Sequence, residues 1–473
     1  MDIPSWSPIV CTPPATPLES DLRSTLSRFG SHWDNLPQGR KDESVIIDYA
    51  KQKLLDGPNV LRSENRSGSL ACLSVRFALE FNMDDTARDV TYAQVERHMR
   101  LCIAATAGLE KMTTIPGSEP LLAEATYELM KDTRTNAVRH LADHSDLNCI
   151  DRGRRGELVA ALLIMQAYDA ARSMPVAGGR RWVSVVDFMK ALLPATEYET
   201  LRQSGPTFWR TNEDIEITFE GISKEYGVWF NHLIKIEDRR MVSIDHLWKF
   251  VTRGAMIMCA TNQEGIDIVL PVCQTTRNLG PDSVTAIIVQ VKNAINYGAT
   301  HDTTLYDAMD SAVTSAIFST LPETVATTKT QMPEKVTPKP VIRLVFALAS
   351  PEPAVVFRER AVVKHHLDGF TTFDIWLAGL SEQTFRQIGE DLEPYNALLE
   401  RSVLPHDAFE LKDDKRMGEK ARILRGARRR RMAPLNFPGV DHGNIHQEKD
   451  PERNPAEGHK TAERMTRNRP GAS

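Results

Sequence analysis

The amino-acid sequence predicts an α/β protein in which a mixed sheet, flanked by helices, is preceded by a helical region. The main observation is a pair of apolar, β-branched runs at 265–272 and 286–293. A turn containing Gly280 and Pro281 separates them, which is typical of a hairpin. Helical periodicity before this hairpin, and both helical and strand-like runs after it, predict helices packed on a sheet.

The individual elements follow in chain order. Before the hairpin, the periodicity predicts helices at 45–55, 95–107, 121–130, within 152–168, and at 183–192 and 242–252, and strands at 215–219 and 228–236. The segment 255–258 is assigned to the last of these helices, with a strand as the alternative. After the hairpin, the pattern predicts helices at 304–318 and 382–399 and strands at 341–348 and 373–378.

Composition fits a globular protein of two or three units. The chain has 473 residues, of which 41% are hydrophobic and 26% charged. No apolar run reaches about 18 residues, so no membrane span is expected, and the start of the chain lacks the features of a signal peptide. Six scattered cysteines without a CxxC pair predict reduced thiols in an intracellular protein, with neither a disulfide framework nor a zinc site.

The units are predicted from shifts in composition and periodicity. They are a disordered N-terminus at 1–20, a helical region at 21–150, an α/β domain at 151–400 with an insertion at 174–253, and a basic, mostly disordered tail at 401–473. No motif with chemistry stands in the helical region, so it is interpreted as a packing or interaction region.

The tail carries a charge opposite to that of the body. Residues 412–473 contain 16 Lys and Arg against 9 Asp and Glu, which leaves the body with 42 basic and 54 acidic residues, a net charge of −12. Arg428, Arg429, Arg430 and Arg431 form an uninterrupted run. Such a run indicates a nuclear-import signal or a nucleic-acid contact, and a solvated extension is the alternative.

Polar residues in the hairpin are the candidate site. Asp267 stands in the first run, and Gln290 and Lys292 stand in the second. Because side chains alternate along a strand, Gln290 and Lys292 project from the same face. Polar groups in strands this apolar are costly unless they are paired or bind a ligand. A carboxylate, an amide oxygen and an ammonium on one face can hold a divalent cation and stabilise a charged oxygen.

This pattern resembles the core of the PD-(D/E)XK, or restriction-endonuclease-like, nuclease superfamily. Asp267 matches the Asp of that pattern, and Gln290-Val291-Lys292 matches its acid-x-Lys element with Gln in place of the acid. Ile266 replaces the Pro of the name. The resemblance covers about residues 152–380 and implies a restriction-endonuclease-like core and a Mg²⁺-dependent (or Mn²⁺-dependent) endonuclease. DNA is the implied substrate, and RNA stays open.

Glu157 is the fourth candidate residue. It stands in the first turn of the helix predicted within 152–168, where the helix dipole favours a carboxylate. A first-turn Glu at a solvated margin is the common alternative. The superfamily often carries a Glu on the helix before its strands, and Glu157 matches that position. The resemblance implies that Asp267, Gln290 and Glu157 hold the metal and that Lys292 assists the attacking water.

Two other functions remain open. Gln290 removes a negative charge, so the core is also compatible with a degenerate, non-catalytic module that binds nucleic acid or protein. A helical scaffold with an incidental α/β domain is the third interpretation. In layout alone, a helical region followed by such a core also resembles the Crinkler-type effector toxins of eukaryotes.

Overall fold

A computed structural model of the chain describes most of its first 400 residues. The described residues are 43–62, 65–81, 85–106, 112–132, 136–144, 155–173, 182–208, 217–260, 263, 265–276, 280–309, 339–358 and 370–400. All of them belong to one compact unit, Met1–Leu404. The predicted N-terminal segment at 1–20 and the tail at 401–473 lie outside the described residues.

The described residues form a mixed α/β structure. The α-helices are α1 Glu43–Leu55, α2 Arg66–Phe77, α3 Asp85–Arg97, α4 Pro120–Asp132, α5 Ala137–His144, α6 Arg155–Arg172, α7 Val185–Leu192, α8 Ala195–Gln203, α9 Phe219–Ser223, α10 Ile244–Arg253, α11 Thr303–Met309 and α12 Leu392–Glu400. The strands are β1 Leu101–Ala105, β2 Met112–Ile115, β3 Val183–Ser184, β4 Tyr226–Val228, β5 His232–Lys235, β6 Ala255–Met258, β7 Ile268–Gln274, β8 Val284–Lys292, β9 Lys339–Ala347, β10 Ala354–Phe357 and β11 Phe370–Ala378.

The main sheet is mixed and has its hairpin near the centre. Along it the strand order is β10-β11-β9-β8-β7, and β7 then pairs with β6 through its first residues and with β4 through its last. Strands β7 and β8 are antiparallel, whereas β8, β9 and β11 run parallel. The hairpin prediction is therefore confirmed, and so is the α/β class.

Two hydrophobic clusters cover the two faces of this sheet. Ile287 and Val289 of β8 belong to a large cluster that also contains residues of α1, α2, α4, α6 and α7. Ala286 and Ile288 belong to a second cluster with residues of α10 and α11. Side chains alternate across a strand, so even-numbered residues of β8 face the second cluster. Gln290 and Lys292 lie on that face.

One predicted helix in the N-terminal half is wrong. The spacing of Val95, Met99, Cys102 and Ile103 suggested a helix through 107, but α3 ends at Arg97. Met99 has a φ of 59°, a left-handed conformation that a helix cannot continue through. The next residues form β1, which pairs with β2 in a separate two-stranded sheet.

Three predictions in the insertion or directly after it are corrected. Phe219, expected in a strand at 215–219, begins α9, which Thr218 caps by accepting a hydrogen bond from the Gly221 N–H at 3.1 Å. The single strand expected at 228–236 is two strands, β4 and β5, which pair with different partners. The segment 255–258 is β6, because Gly254 adopts a left-handed conformation (φ 62°) and ends α10.

The C-terminal helix is shorter than predicted. The expected helix at 382–399 is confirmed only at its end, since α12 begins at Leu392. Turns and a 3₁₀ helix at Gly389–Asp391 precede it, and Gly389 has a φ of 42°, which interrupts a helix. The strands predicted at 341–348 and 373–378 are confirmed as β9 and β11. Within the described ranges, no helix is long and apolar enough to cross a membrane.

Candidate functional site

Asp267 lies at the start of β7, held against the backbone of β8. Its N–H donates to the Val289 carbonyl oxygen at 2.9 Å, and its carboxylate Oδ2 accepts from the Val291 N–H at 2.6 Å. Gly265, two residues earlier, has a φ of 81°, and a Cβ there would lie 2.7 Å from the Ala308 carbonyl oxygen, so a glycine lets this segment pack closely against α11. The carboxylate therefore sits beside the residue that separates Gln290 from Lys292.

Gln290 of β8 has a buried side-chain amide whose oxygen lacks a hydrogen-bond donor among the described residues. Its side chain is 6% exposed. The buried oxygen Oε1 has no hydrogen-bond partner among the described residues. A buried polar atom without a partner costs about 1–3 kcal/mol, so native structures usually supply one or bind a ligand there. The Gln290 oxygen is thus a buried acceptor without a partner among the described residues, one position from the Val291 N–H that binds the Asp267 carboxylate.

Lys292 ends β8 two residues further on and is half-buried. Its Nζ lies 5.8 Å from the ring centroid of Tyr297, within reach of a cation–π interaction. Its positive charge lowers the pKa of Asp267, so the two side chains interact electrostatically. The structure therefore brings Asp267, Gln290 and Lys292 together.

Glu157 reaches this region from α6. The neighbouring Gly156 packs against the end of β8, where a Cβ would lie 3.2 Å from the Cβ of Asn293 and 3.6 Å from Cγ1 of Val291. The negative charges of Asp267 and Glu157 both raise the pKa of the Cys259 thiol, after burial, which is the larger cause. The packing of Gly156 against Val291 and Asn293 places the start of α6 at the end of the sheet where β8 finishes.

The Asp267 carboxyl is electrostatically unfavourable in its charged form. Burial raises its pKa above the usual 3.8, although the Val291 N–H and the charge of Lys292 act in the opposite direction. A carboxyl with a raised folded-state pKa binds more protons when folded than when unfolded. The metal-free protein therefore loses stability as pH rises through that pKa.

We expect Asp267→Asn to stabilise the metal-free protein at neutral pH by about 0.5–2 kcal/mol, because the amide removes the buried charge and can still accept from Val291. The gain should shrink as pH falls toward 3.8, the usual Asp pKa. Urea unfolding in a chelator, repeated across pH, measures it. Asp48→Asn, at an exposed position of α1, is the matched control. A lower stability of the Asp267 variant at neutral pH would contradict the electrostatic argument.

The side chains at this end of the sheet can be compared with the ligands that a metal ion requires. In the described part of the chain, no group of three or more His, Cys, Asp or Glu side chains is arranged to hold a metal ion. Gln290 adds a buried amide oxygen without a partner among the described residues, one position from the Val291 N–H that binds the Asp267 carboxylate. Carboxylate and amide oxygens are ligand types that Mg²⁺ takes, together with several waters. The types of donor at this end of the sheet are therefore compatible with a hard divalent cation.

His232 of β5 is fully buried, and both of its ring nitrogens have partners. Its Nδ1 lies 2.8 Å from Oδ1 of Asn231 and its Nε2 lies 3.0 Å from Oγ of Ser118. Asn231 in turn donates to Glu124 at 3.1 Å. Burial, followed by the charges of Arg253 and Arg76, lowers the His232 pKa to about 3. The imidazole is therefore neutral near pH 7 and links the helical region to β5.

Sequence patterns do not reveal three contributors to the site. They are the Val291 N–H, Cys259 and Tyr297, which take part through backbone geometry or tertiary contact. The period of two that identified Gln290 and Lys292 gives no sign of them. The candidate nucleic-acid contact Arg428–Arg431 lies outside the described residues.

Comparisons with known proteins give one finding. Neither the curated proteins nor the solved structures provide a match to this chain. A family model described as Domain of unknown function (DUF8736) matches residues 59–319. That range is more than half of the chain and includes Glu157, Asp267, Gln290 and Lys292. The chain therefore belongs to the DUF8736 family.

Proposed function

We propose that this protein is a metal-dependent nuclease that hydrolyses phosphodiester bonds, with DNA as its substrate. The observation that carries the proposal is the buried Oε1 of Gln290, which has no hydrogen-bond partner among the described residues, one position from the Val291 N–H that binds the Asp267 carboxylate. Lys292 projects from the same face of β8, close enough to shift the pKa of Asp267. An acceptor, a carboxylate and an ammonium in one place suit a divalent cation and a phosphate.

The order of elements supports the restriction-endonuclease-like interpretation. Helix α6 precedes the antiparallel pair β7 and β8, then α11 follows, and β9 returns parallel to β8. The same order of helix, hairpin, helix and strand is what the PD-(D/E)XK resemblance requires. The candidate residues stand at one end of this unit, where β7 begins and β8 finishes.

Each residue has a role in the proposed reaction. Asp267, Gln290 and Glu157 would hold Mg²⁺ or Mn²⁺, which when bound supplies Lewis-acid stabilisation to phosphoryl transfer. Val291 fixes the Asp267 carboxylate through its N–H. The Lys292 ammonium orients the attacking water and offsets the negative charge that grows on the phosphate oxygens. Arg428–Arg431 would add non-specific phosphate contacts, and the same run also fits nuclear import.

We expect Gln290→Glu to lower the Mg²⁺ concentration needed for half-maximal cleavage by roughly tenfold, because hard cations favour a carboxylate over an amide. In a chelator, the same variant should unfold more easily, since a second buried carboxylate lies beside Asp267. Plasmid nicking over a Mg²⁺ series and melting with and without metal measure both effects. Gln203→Glu, at an exposed position of α8, is the control. A Gln290→Glu protein that needs as much Mg²⁺ as wild type would remove Gln290 from the metal set.

A non-catalytic binding module is the second candidate. It is favoured by the amide at the acid position and by the lack of three clustered His, Cys, Asp or Glu within the described ranges. One assay distinguishes the nuclease from the non-catalytic binding module. Wild-type protein is incubated with single-stranded DNA, duplex DNA and RNA in Mg²⁺, Mn²⁺ or chelator. Metal-dependent products support the nuclease, whereas binding without products in either metal supports the module.

A further inference from the structure

A short turn follows β8 and is firmly anchored next to Lys292. The Tyr297 N–H donates to the Ala294 carbonyl oxygen at 3.2 Å, which closes the turn. The buried Trp376 indole donates to the Gly298 carbonyl oxygen at 3.0 Å and ties the following residue to β11. The turn therefore keeps a fixed position relative to the candidate site.

Ile295 stands at the tip of this turn. Its side chain is 82% exposed, the highest value among the large apolar side chains that the structure describes. The flanking Ala294 and Asn296 are also exposed and carry no charge. Single exposed apolar residues are common on protein surfaces. This one differs because it is held on a closed, anchored turn three residues beyond Lys292.

We propose that Ile295 is an apolar wedge that inserts between two nucleobases beside the phosphate held by Lys292. This inference rests on the proposed nuclease function and adds the way in which the substrate is engaged. Minor-groove and architectural proteins insert Ile, Leu, Met or Phe between base steps and kink the duplex. A preorganised wedge loses little conformational entropy on binding. An uncharged tip beside a cation suits a stack of bases next to a phosphate.

The proposal is tested with short duplexes that carry 2-aminopurine at successive positions, in chelator, because this base fluoresces more strongly when it is unstacked. Wild type should raise the fluorescence at one step. Ile295→Ser should abolish the rise in fluorescence. It should also weaken binding by about five- to tenfold, since the aliphatic side chain no longer buries apolar surface between the bases in the complex. Val60→Ser is the matched control, because Val60 is also an exposed apolar residue (56% exposed) and is distant from Ile295 in sequence.

The same variants are then assayed for cleavage in Mg²⁺. Ile295→Ser should raise KM and leave kcat nearly unchanged, with a melting temperature equal to that of wild type. Equal affinity and an equal fluorescence rise for wild type and Ile295→Ser, with normal cleavage in both, would overturn the wedge and leave the nuclease proposal standing. A wild-type protein that neither binds nor cleaves nucleic acid would overturn both.

Discussion

Replacing Lys292 with alanine should abolish metal-dependent cleavage while leaving the fold intact. We expect the rate to fall by about a hundred- to a thousandfold, the usual cost of removing one group that stabilises transition-state charge. The backbone of Lys292 still pairs in the variant, because its carbonyl oxygen accepts from the Leu348 N–H at 2.9 Å. The melting temperature should therefore change little.

A purely structural role for Lys292 predicts a different outcome. If the ammonium mainly neutralises Asp267, its loss leaves a carboxylate unpaired at a cost of about 3–5 kcal/mol. Asp267 is only partly buried and accepts from the Val291 N–H as well, so we expect a smaller loss of stability. Plasmid cleavage and melting of Lys292→Ala are compared with those of Lys249→Ala, at an exposed position of α10. Cleavage at the wild-type rate in Lys292→Ala would refute its catalytic role.

The largest effect on stability should come from Arg343→Met. Arg343 on β9 and Asp374 on β11 have fully buried side chains joined by two hydrogen bonds, of 2.6 and 2.7 Å. Arg343 also donates to the Tyr306 carbonyl oxygen at 3.2 Å. Methionine would leave Asp374 with Arg358, at 3.1 Å, as its remaining ion-pair partner among the described residues. We expect a loss of about 3–5 kcal/mol in the free energy of unfolding.

Urea unfolding of single and double variants measures this loss. Arg343→Met combined with Asp374→Leu should recover much of the stability, because replacing both charges with apolar groups leaves no carboxylate unpaired. Arg139→Met is the control: Arg139 pairs with Asp391 at 3.2 Å but is 52% exposed, so less than about 1 kcal/mol is expected. Equal losses at the two arginines would contradict the importance of burial.

Much of the sheet could be predicted from the sequence. Short apolar runs rich in β-branched residues identify β7, β8, β9 and β11, because strands buried on both faces are apolar almost throughout. The helix–strand errors occur where short apolar runs fit both periods, as in β1 and β6. In both places a residue of positive φ, Met99 or Gly254, ends the preceding helix. The spacing of apolar residues does not indicate where such a positive φ will end a helix.

The candidate site, like the sheet, could be predicted from the sequence only in part. Gln290 and Lys292 share a face by strand geometry alone, and the structure places the Asp267 carboxylate on the N–H of Val291, the residue between them in sequence. Sequence spacing cannot indicate that the Gln290 oxygen has no donor, since that depends on every neighbour in space. The pairing of Arg343 with Asp374 is equally hidden, because 31 residues separate them and two parallel strands must first align.

The sheet topology also bears on where the folding unit ends. The family match stops at residue 319, but β9 and β11, which continue the sheet beyond β8, lie after it. A fragment truncated at that boundary would turn β8 from an interior strand into an edge, with a row of unpaired backbone groups and an apolar surface on each side. Such an edge invites pairing between copies and aggregation. The autonomous unit that carries the candidate site therefore extends at least to β11, well past the limit of the family match.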